Sequence, residues 1–250
     1  MKTVAIIPAR YGSTRFPAKP LALIAGRPMI QWTYESTRKC ADFDRVAVAT
    51  DDRRIYDAVI GFGGEAVMTS PECRSGTDRI HEAIRDMEAD LVVNVQGDEP
   101  LIPANVLHDI VVQMRESGAD MGTVAVPFSA AGRDPADPNA VKVVLDNRGF
   151  ALYFSRSPIP FRREGAEACE PLLHWGLYAY TRDFLNRFVT WPTGRLEACE
   201  KLEQLRALEN GARICVLVAH ERTADVDVPE DIARVEALLA ETAAAGRCGQ

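Results

Sequence analysis

Short runs of valine, isoleucine and leucine that alternate with longer helical patterns constrain the fold of this chain more than any other feature. These runs occupy residues 3–8, 45–49, 91–95 and 122–126. Apolar strands separated by helices are typical of βαβ units, whose strands pair in parallel. The sequence therefore predicts an α/β fold with a mostly parallel central sheet flanked by helices.

The pattern changes after residue 127. The stretches "AVKVVLD", "FALYFS" and "LLHWGLYAY" are typical of strands, and proline-rich, charged loops join them. The chain then returns through "LEACEKLEQLRALENG", a predicted helix closed by Gly211, to the strand "RICVLVA" and a last helix after Pro229. We therefore predict one domain over residues 1–250, with a smaller β-rich lobe inserted at about 128–195.

Charge and cysteine content exclude several classes of protein. The net charge of -7 and the pI of about 5.2 argue against a general electrostatic affinity for nucleic acid or anionic lipid. Neither a leader pattern nor an apolar run of membrane-spanning length is visible, so we expect a cytoplasmic protein. The six cysteines lack C-x-x-C spacing, which argues against a zinc site and a disulfide scaffold.

The loop after the first predicted strand, "IIPARYGSTRFPAKP", crowds basic residues at a place where α/β proteins bind ligands. It matches neither the G-x-G-x-x-G of a dinucleotide fold nor a P-loop. Its small residues allow a ligand to approach the backbone, and Arg10 and Lys19 could balance the charge of a triphosphate. Basic residues on an exposed loop are also often only solvated, and for Arg15 we favour that interpretation.

Two acidic stretches are candidates for a metal site. In "VVNVQGDEP" an apolar strand ends in Gln96 and Asp98, where carboxylates could hold Mg²⁺ against phosphate oxygens. A solvated turn is the alternative. In "ADVDVPED" Asp225 and Asp227 precede a helix, and an acidic residue in such a place commonly caps the helix.

Polar residues of the lobe and of the following helix form a third set of candidates. Alternation along "LLHWGLYAY" places His174, Tyr178 and Tyr180 on one face, which could line a pocket, although an isolated histidine is more often structural. Arg156 follows a strand and could form a surface ion pair. A polar helix face, which normally contacts solvent, comprises Glu197, Glu200, Glu203 and Gln204.

Taken in order, several motifs resemble those of 3-deoxy-manno-octulosonate cytidylyltransferases, also called CMP-Kdo synthetases. They are "IIPARYGSTRFPAKPL", "RSGTDRI", "NVQGDEPLIP", "NAVKVVLD", "ALYFSR", "HWGLYAY", "LEQLRALENG" and "DVPEDI", and together they cover nearly the whole chain. The first motif is shared with sialic acid cytidylyltransferases. "NVQGDEP" with "ALYFSR" and "LEQLR" is specific to the Kdo enzymes.

The resemblance implies a nucleotide-diphospho-sugar transferase type of fold and a homodimer. It also implies Mg²⁺-dependent transfer of CMP from CTP to 3-deoxy-D-manno-octulosonate (Kdo), with release of pyrophosphate, for lipopolysaccharide biosynthesis. Two alternatives stay open. One is a cytidylyltransferase for another 2-keto-3-deoxy sugar acid, such as a sialic acid or an amino analogue of Kdo. The other is a nucleotide-binding protein without turnover.

Carried over by position, the resemblance also assigns roles to residues. The nucleotide would be bound by Arg10, Ser13, Lys19, Ser75, Gln96 and Asp98, of which Arg10, Lys19 and Asp98 would be catalytic. The sugar acid would be bound by Arg156, His174, Glu203 and Gln204. Asp98 and Asp227 would bind the metal. The stretch "ERTADVDVPED" is one residue shorter than the family pattern and has an additional acid, Asp225, which is the alternative to Asp227 as the second metal ligand.

Overall fold

The computed structural model describes residues 1–12, 16–167, 169–220 and 224–248. These residues form two compact units. The first unit comprises residues 2–88, 94–107 and 223–250, and the second comprises residue 1, residues 89–93 and residues 108–222. The lobe predicted at about 128–195 falls within the second unit, and its boundaries stay a prediction.

The predicted alternation of strands and helices is present along the described chain. In order, the elements are β1 (Thr3–Ala9), β2 (Leu23–Ile24), β3 (Arg27–Pro28), α1 (Met29–Arg38), β4 (Arg45–Thr50), α2 (Arg53–Gly61), β5 (Ala66–Met68), α3 (Gly76–Ala83), β6 (Leu91–Asn94), α4 (Ala104–Ser117), β7 (Met121–Pro127), α5 (Phe128–Ala131), β8 (Lys142–Leu145), β9 (Ala151–Ser155), β10 (Leu172–Thr181), α6 (Arg182–Phe188), α7 (Arg195–Glu200), α8 (Gln204–Glu209), β11 (Ile214–Val218) and α9 (Asp231–Cys248).

The first unit has a parallel sheet at its centre. Strand β1 pairs in parallel with β4, and β4 pairs in parallel with β5. The side chains of Ile6 and Ile7 are fully buried, as are those of Val48 and Ala49 on β4. Burial on both faces is the reason why these strands are continuously apolar in sequence, since the helices of a βαβ arrangement cover both sides of the sheet.

The second unit is mixed. Strand β11 is parallel to β7, whereas β10 runs antiparallel to β7 on one side and to β8 on the other, and β8 pairs antiparallel with β9. The pairing of β10 with β7 shifts in register between Trp175 and Tyr178. Tyr180 is buried and its ring stacks on those of Phe184 and Phe188. Tyr180 is therefore a core residue of this unit.

The helix predicted over "LEACEKLEQLRALENG" is interrupted. Helix α7 ends before Lys201, whose φ of 54° lies in the left-handed region, and α8 starts three residues later. A residue with a Cβ atom is strained in this region, and it stops the preceding helix as a glycine would. The prediction of one continuous helix was wrong at this point.

Among the described residues, no helix is long and apolar enough to cross a membrane.

Candidate functional site

A pocket of about 360 Å³ lies in the first unit, beyond the carboxyl end of β1. The end of β1, the loop that follows it, the start of α3 and the loop after β6 supply its walls. This is the edge of a parallel sheet at which α/β proteins bind ligands. The predicted nucleotide residues that line the pocket are Arg10, Lys19, Ser75, Gln96 and Asp98.

The first loop places two cations at this pocket. Arg10 directly follows β1 and is exposed. Lys19 begins a single 3₁₀ turn, Lys19–Leu21, and is preceded by Ala18 in a left-handed conformation with φ of 57°. The backbone N–H of Ala18 donates to the Tyr11 carbonyl at 3.1 Å, which closes the loop and fixes the start of the turn. Two residues of this loop for which the sequence made predictions lie outside the described residues, namely Ser13 and Arg15.

The loop that carries Asp98 is held by backbone and hydroxyl contacts. The Val95 N–H donates to the Ile6 carbonyl at 3.0 Å, so this segment runs beside β1. At Gly97 a Cβ atom would lie 3.1 Å from the Pro8 carbonyl oxygen, so a larger residue would be in tight contact with the end of β1. The Thr33 hydroxyl of α1 donates to the Gly97 carbonyl at 3.1 Å. These contacts fix Asp98 at the edge of the pocket.

Asp227 reaches the same place from the far end of the chain. Val226, just before it, is buried in an apolar cluster with Ile24 and Met29, and its N–H donates to the Asp98 carbonyl at 3.0 Å. The backbone N–H of Asp227 donates to the carboxylate of Asp231, which starts α9. The Asp231 carboxylate therefore holds the backbone of Asp227 at the start of α9.

The structure separates the two acids between which the sequence had to choose. Lys19 Nζ lies 2.6 Å from Asp98 Oδ2 and 3.7 Å from Asp227 Oδ1. Asp225 instead forms an ion pair with Arg234, whose Nη2 lies 3.3 Å from its Oδ1 and donates to its backbone carbonyl at 2.6 Å. Asp98 and Asp227 thus converge on one cation, as the preference for Asp227 requires, and Asp225 is engaged elsewhere.

Ser75 and Gln96 form the other side of the pocket. Ser75 is the N-cap of α3, where its hydroxyl accepts from the N–H of Asp78 while the Asp78 carboxylate accepts from the N–H of Ser75. This capping box fixes the first turn of α3, whose N-terminus carries a partial positive charge. Gln96 donates through Nε2 to Asn94 Oδ1 at 3.4 Å. An amide and a helix N-terminus can recognise the polar edge of a base or a phosphate.

Sequence reasoning missed two further cations of the pocket, Arg74 and Arg79. Arg79 is 5% exposed and its guanidinium is fixed by Thr69 Oγ1 at 2.5 Å and by Asp51 Oδ2 at 2.7 Å. Arg74 is exposed. Arg74 and Arg79 both lie in "RSGTDRI", a stretch in which only Ser75 had been given a role. Their position on either side of this serine is the sequence signal that could have indicated them.

The predicted sugar residues form a separate group in the second unit. Arg156 follows β9, and its guanidinium donates to three backbone carbonyls: from Nε to Glu200 at 2.7 Å, from Nη1 to Pro138 at 2.9 Å and from Nη2 to Lys201 at 3.5 Å. An arginine side chain has five N–H groups, so these bonds use three of them and orient the rest. The role of Arg156 with a sugar carboxylate stays a prediction.

His174 lies on β10 beside aromatic residues. Its ring is 5.0 Å from that of Phe154 and 5.5 Å from that of Tyr178. Burial lowers the pKa of His174 to about 3, so the imidazole is neutral at physiological pH. The Thr123 hydroxyl donates to the Leu177 carbonyl at 2.8 Å and lies 2.9 Å from His174 Nε2. Because that hydroxyl hydrogen is already used, we assign the proton of the ring to Nε2, which leaves Nδ1 as an acceptor.

Glu203 and Gln204 stand at the start of α8. The Glu203 carboxylate is close enough to the Tyr178 phenol to contribute, after burial and Tyr180, to the raised pKa of Tyr178. Gln204 is 3% exposed, and its Nε2 atom is buried without a hydrogen-bond partner within the described chain. A buried amide that lacks a partner is costly, and a bound ligand that accepts from it would remove that cost.

The expectation that this polar helix face contacts solvent was wrong. Glu197 forms two hydrogen bonds with Arg206, at 2.8 and 2.6 Å, and both side chains are 12% exposed. Glu200 accepts from the Ser155 hydroxyl at 2.8 Å and from the Arg156 N–H at 2.9 Å. These acids are internal partners that hold α7 and α8 against β9.

Comparisons with known proteins identify chains that are similar to this one. Residues 4–214 match the family model described as cytidylyltransferase. A 3-deoxy-manno-octulosonate cytidylyltransferase of Desulfatibacillum aliphaticivorans is 53% identical over 96% of this chain and 99% of its own length. The enzyme of the same name from Desulfosudis oleivorans is 50% identical over 98% of this chain and 100% of its own length.

Among solved structures, CMP:2-keto-3-deoxy-manno-octonic acid synthetase complexed with CTP is similar to this chain with a TM-score of 0.91 and 43% identity. The similarity covers 97% of this chain and 100% of that one. The predicted fold class, an α/β nucleotidyltransferase with a mostly parallel sheet flanked by helices, is thereby confirmed.

Proposed function

This chain belongs to the family of 3-deoxy-manno-octulosonate cytidylyltransferases, and on that premise we propose that it transfers CMP from CTP to Kdo, with release of pyrophosphate. CMP-Kdo so formed serves lipopolysaccharide biosynthesis. The geometric observation that carries the proposal is the grouping of Lys19 with Asp98 and Asp227 beside the pocket after β1. Cations for phosphates and carboxylates for a metal are the parts that this type of reaction requires.

The residues present fit a magnesium ion. Asp98 and Asp227 both point at one cation, the ammonium group of Lys19, which occupies the kind of position a metal ion takes between two carboxylates. Within the described residues there is no cluster of three or more acidic, histidine or cysteine ligands. Mg²⁺ commonly binds one or two carboxylates together with substrate phosphates and water, so two acids suffice. When bound, Mg²⁺ supplies positive charge against the phosphate oxygens of CTP.

In the reaction, the anomeric hydroxyl oxygen of Kdo attacks the α-phosphorus of CTP. A new P–O bond forms, the bond between the α-phosphorus and the bridging oxygen breaks, pyrophosphate departs and the hydroxyl proton is lost to water. Arg10 and Lys19 meet the negative charge of the triphosphate, and that charge increases on the departing pyrophosphate in the transition state. Ser75, Gln96 and the N-terminus of α3 orient the nucleotide. The protein needs no covalent nucleophile.

The residues of the second unit would recognise the sugar acid. Arg156 retains two N–H groups that can pair with a carboxylate. The His174 Nδ1 acceptor and the buried Gln204 amide suit hydroxyl groups of the sugar. A site built from such groups discriminates strongly, because a wrong sugar acid leaves buried polar atoms unpaired.

Pyrophosphate release tests the proposal. Purified protein is supplied with CTP, Mg²⁺ and, in turn, Kdo, an amino analogue of Kdo and a sialic acid. We expect release with Kdo and much slower release with the others. Asp98→Asn keeps the side-chain volume but loses the metal-binding charge, so its turnover should fall to background while its melting temperature is retained. Near-normal turnover of this variant at saturating Mg²⁺ would remove Asp98 from the metal site.

Three further features of the proposal each require a test of their own. They are the dependence on Mg²⁺, the homodimer and the cytoplasmic location. Activity before and after treatment with a chelator, with Mg²⁺ added back, tests the first. Sedimentation of the purified protein tests the second, and fractionation of the native cell tests the third.

A further inference from the structure

Lys142 is a buried lysine of the second unit for which the proposed mechanism has no use. It is the first residue of β8, and its exposed fraction is 0%. Lysine is almost never fully buried unless its charge is compensated. Its burial lowers its pKa, while Asp137 and Glu200 act in the opposite direction.

The ammonium group of Lys142 binds three backbone carbonyls. Nζ donates to Asp137 at 2.9 Å, to Ala140 at 2.7 Å and to Arg156 at 2.5 Å. An ammonium group has three N–H donors, so all three are used within the protein. Lys142 therefore has no donor left for a substrate, and its contacts connect the segment 137–140 to the end of β9.

The strand register places Lys142 between the two strands that carry predicted sugar ligands. It pairs with Ser155 of β9, which precedes Arg156, and with Leu173 of β10, which precedes His174. The N–H of His174 also donates to the carbonyl of Val141, the residue before Lys142, at 2.8 Å.

Arg156 is fixed at its backbone by Lys142 and at its guanidinium by the segment that Lys142 holds. Its carbonyl accepts from Lys142, and its Nη1 donates to the carbonyl of Pro138. Pro138 lies between Asp137 and Ala140, whose carbonyls are the other two acceptors of Lys142. Loss of the ammonium group would release this segment and with it one of the three carbonyls that orient the guanidinium.

We infer that Lys142 is a positioning residue for the sugar acid, which acts by holding Arg156 and the segment 137–140 in the arrangement that receives the carboxylate. The inference rests on the proposed function, because it takes Arg156 to be the ligand of that carboxylate. It predicts that Lys142 affects the binding of Kdo through Arg156 and leaves the binding of CTP unchanged.

A double-mutant cycle tests this inference. Initial rates are measured for the wild type, Lys142→Met, Arg156→Ala and the double variant, with Kdo and CTP varied in turn. We expect Lys142→Met to raise the KM for Kdo about ten-fold or more and to change the KM for CTP less than two-fold. In the background of Arg156→Ala the same substitution should have no further effect, because residues that act through one contact are not additive.

Other outcomes would overturn the inference. Additive effects of the two substitutions, or equal changes in both KM values, would mean that Lys142 only supports the fold. Thermal unfolding of each variant is measured in parallel, with Lys39→Met as the control for the loss of an exposed lysine. If Lys142→Met does not fold, Lys142→Gln, which keeps two N–H donors, replaces it in the cycle. If neither folds, Lys142 is a structural residue and the inference is wrong.

The wild-type rates separate this inference from the proposed function. Kdo-dependent turnover of the wild type reports on the function alone. If the wild type turns over and Arg156→Ala leaves the KM for Kdo unchanged, the ligand assignment and the inference fail together while the function stands. If Arg156→Ala raises that KM and Lys142→Met does not, only the inference fails.

Discussion

Replacement of Lys19 by methionine should strengthen the binding of a divalent cation in the absence of CTP. The Lys19 ammonium group lies between Asp98 and Asp227, the two proposed metal ligands. A metal ion that binds there without CTP has to displace this group. Methionine keeps much of the length of the side chain and removes the competing charge.

The magnitude follows from the two contacts. The 2.6 Å bond to Asp98 is charge-assisted, and such bonds contribute about 1.5–3 kcal/mol when shielded. The Asp98 side chain is 34% exposed, so screening reduces this to about 1–2 kcal/mol. The 3.7 Å contact to the 42% exposed Asp227 adds less than about 1 kcal/mol. A total near 2 kcal/mol corresponds to a gain in affinity of roughly 30-fold.

Mn²⁺ is a suitable probe, because electron paramagnetic resonance measures its free concentration directly. Titrations are performed on the wild type, Lys19→Met and the control Lys39→Met, each with and without CTP. We expect a gain of roughly 10- to 30-fold for Lys19→Met without CTP and no gain with CTP, since the triphosphate would attract Lys19 away from the two acids. Unchanged or weaker Mn²⁺ binding by CTP-free Lys19→Met would refute the placement of the metal at these carboxylates.

Two further predictions concern single side chains. Asp225→Asn should leave turnover nearly unchanged, because Asp225 pairs with Arg234, whereas Asp227→Asn should reduce kcat/KM at least a hundred-fold. Steady-state rates at saturating Mg²⁺ measure both effects. A large loss for Asp225→Asn and none for Asp227→Asn would make Asp225 the metal ligand. The lowered pKa of His174 means that the unfolded chain binds a proton between pH 6.5 and about 3 and the folded chain does not, so acidification in this window should cost up to about 1.4 kcal/mol of stability per pH unit. Urea unfolding at several pH values gives the free energy of unfolding as a function of pH. Its slope against pH should be shallower for His174→Gln than for the wild type, and identical slopes would contradict the buried, neutral histidine.

The sequence pattern predicted the elements that lie on the sheet edge, because their signals are local. The apolar runs at residues 3–8 and 45–49 became β1 and β4, and the loop after β1 forms one wall of the pocket. Asp98 could be placed there since the carboxyl ends of parallel strands share an edge. Asp227 could not be placed from local sequence pattern. The hydrogen bond between the Val226 N–H and the Asp98 carbonyl brings it to Lys19, and these two residues are far apart in sequence.

The errors arose where a polar residue has a distant partner. Glu197 and Glu200 carry the spacing of a solvated helix face, yet Arg206 and β9 cover them. The sequence made no prediction for Lys142, because nothing in "AVKVVLD" indicates that three carbonyls surround its ammonium group. Hydrophobic periodicity reports which face is covered by apolar residues, and it does not report polar contacts made across the fold.

The identity of the reaction product tests the proposed function most directly. Phosphorus NMR and mass spectrometry are applied to a mixture of the protein, CTP, Kdo and Mg²⁺, with Asp98→Asn as the inactive control. We predict one CMP-Kdo phosphodiester for each pyrophosphate released, and neither product when Kdo is omitted. Pyrophosphate release that does not depend on Kdo, or faster formation of a CMP adduct with a sialic acid or an amino analogue of Kdo, would contradict the transfer of CMP to Kdo.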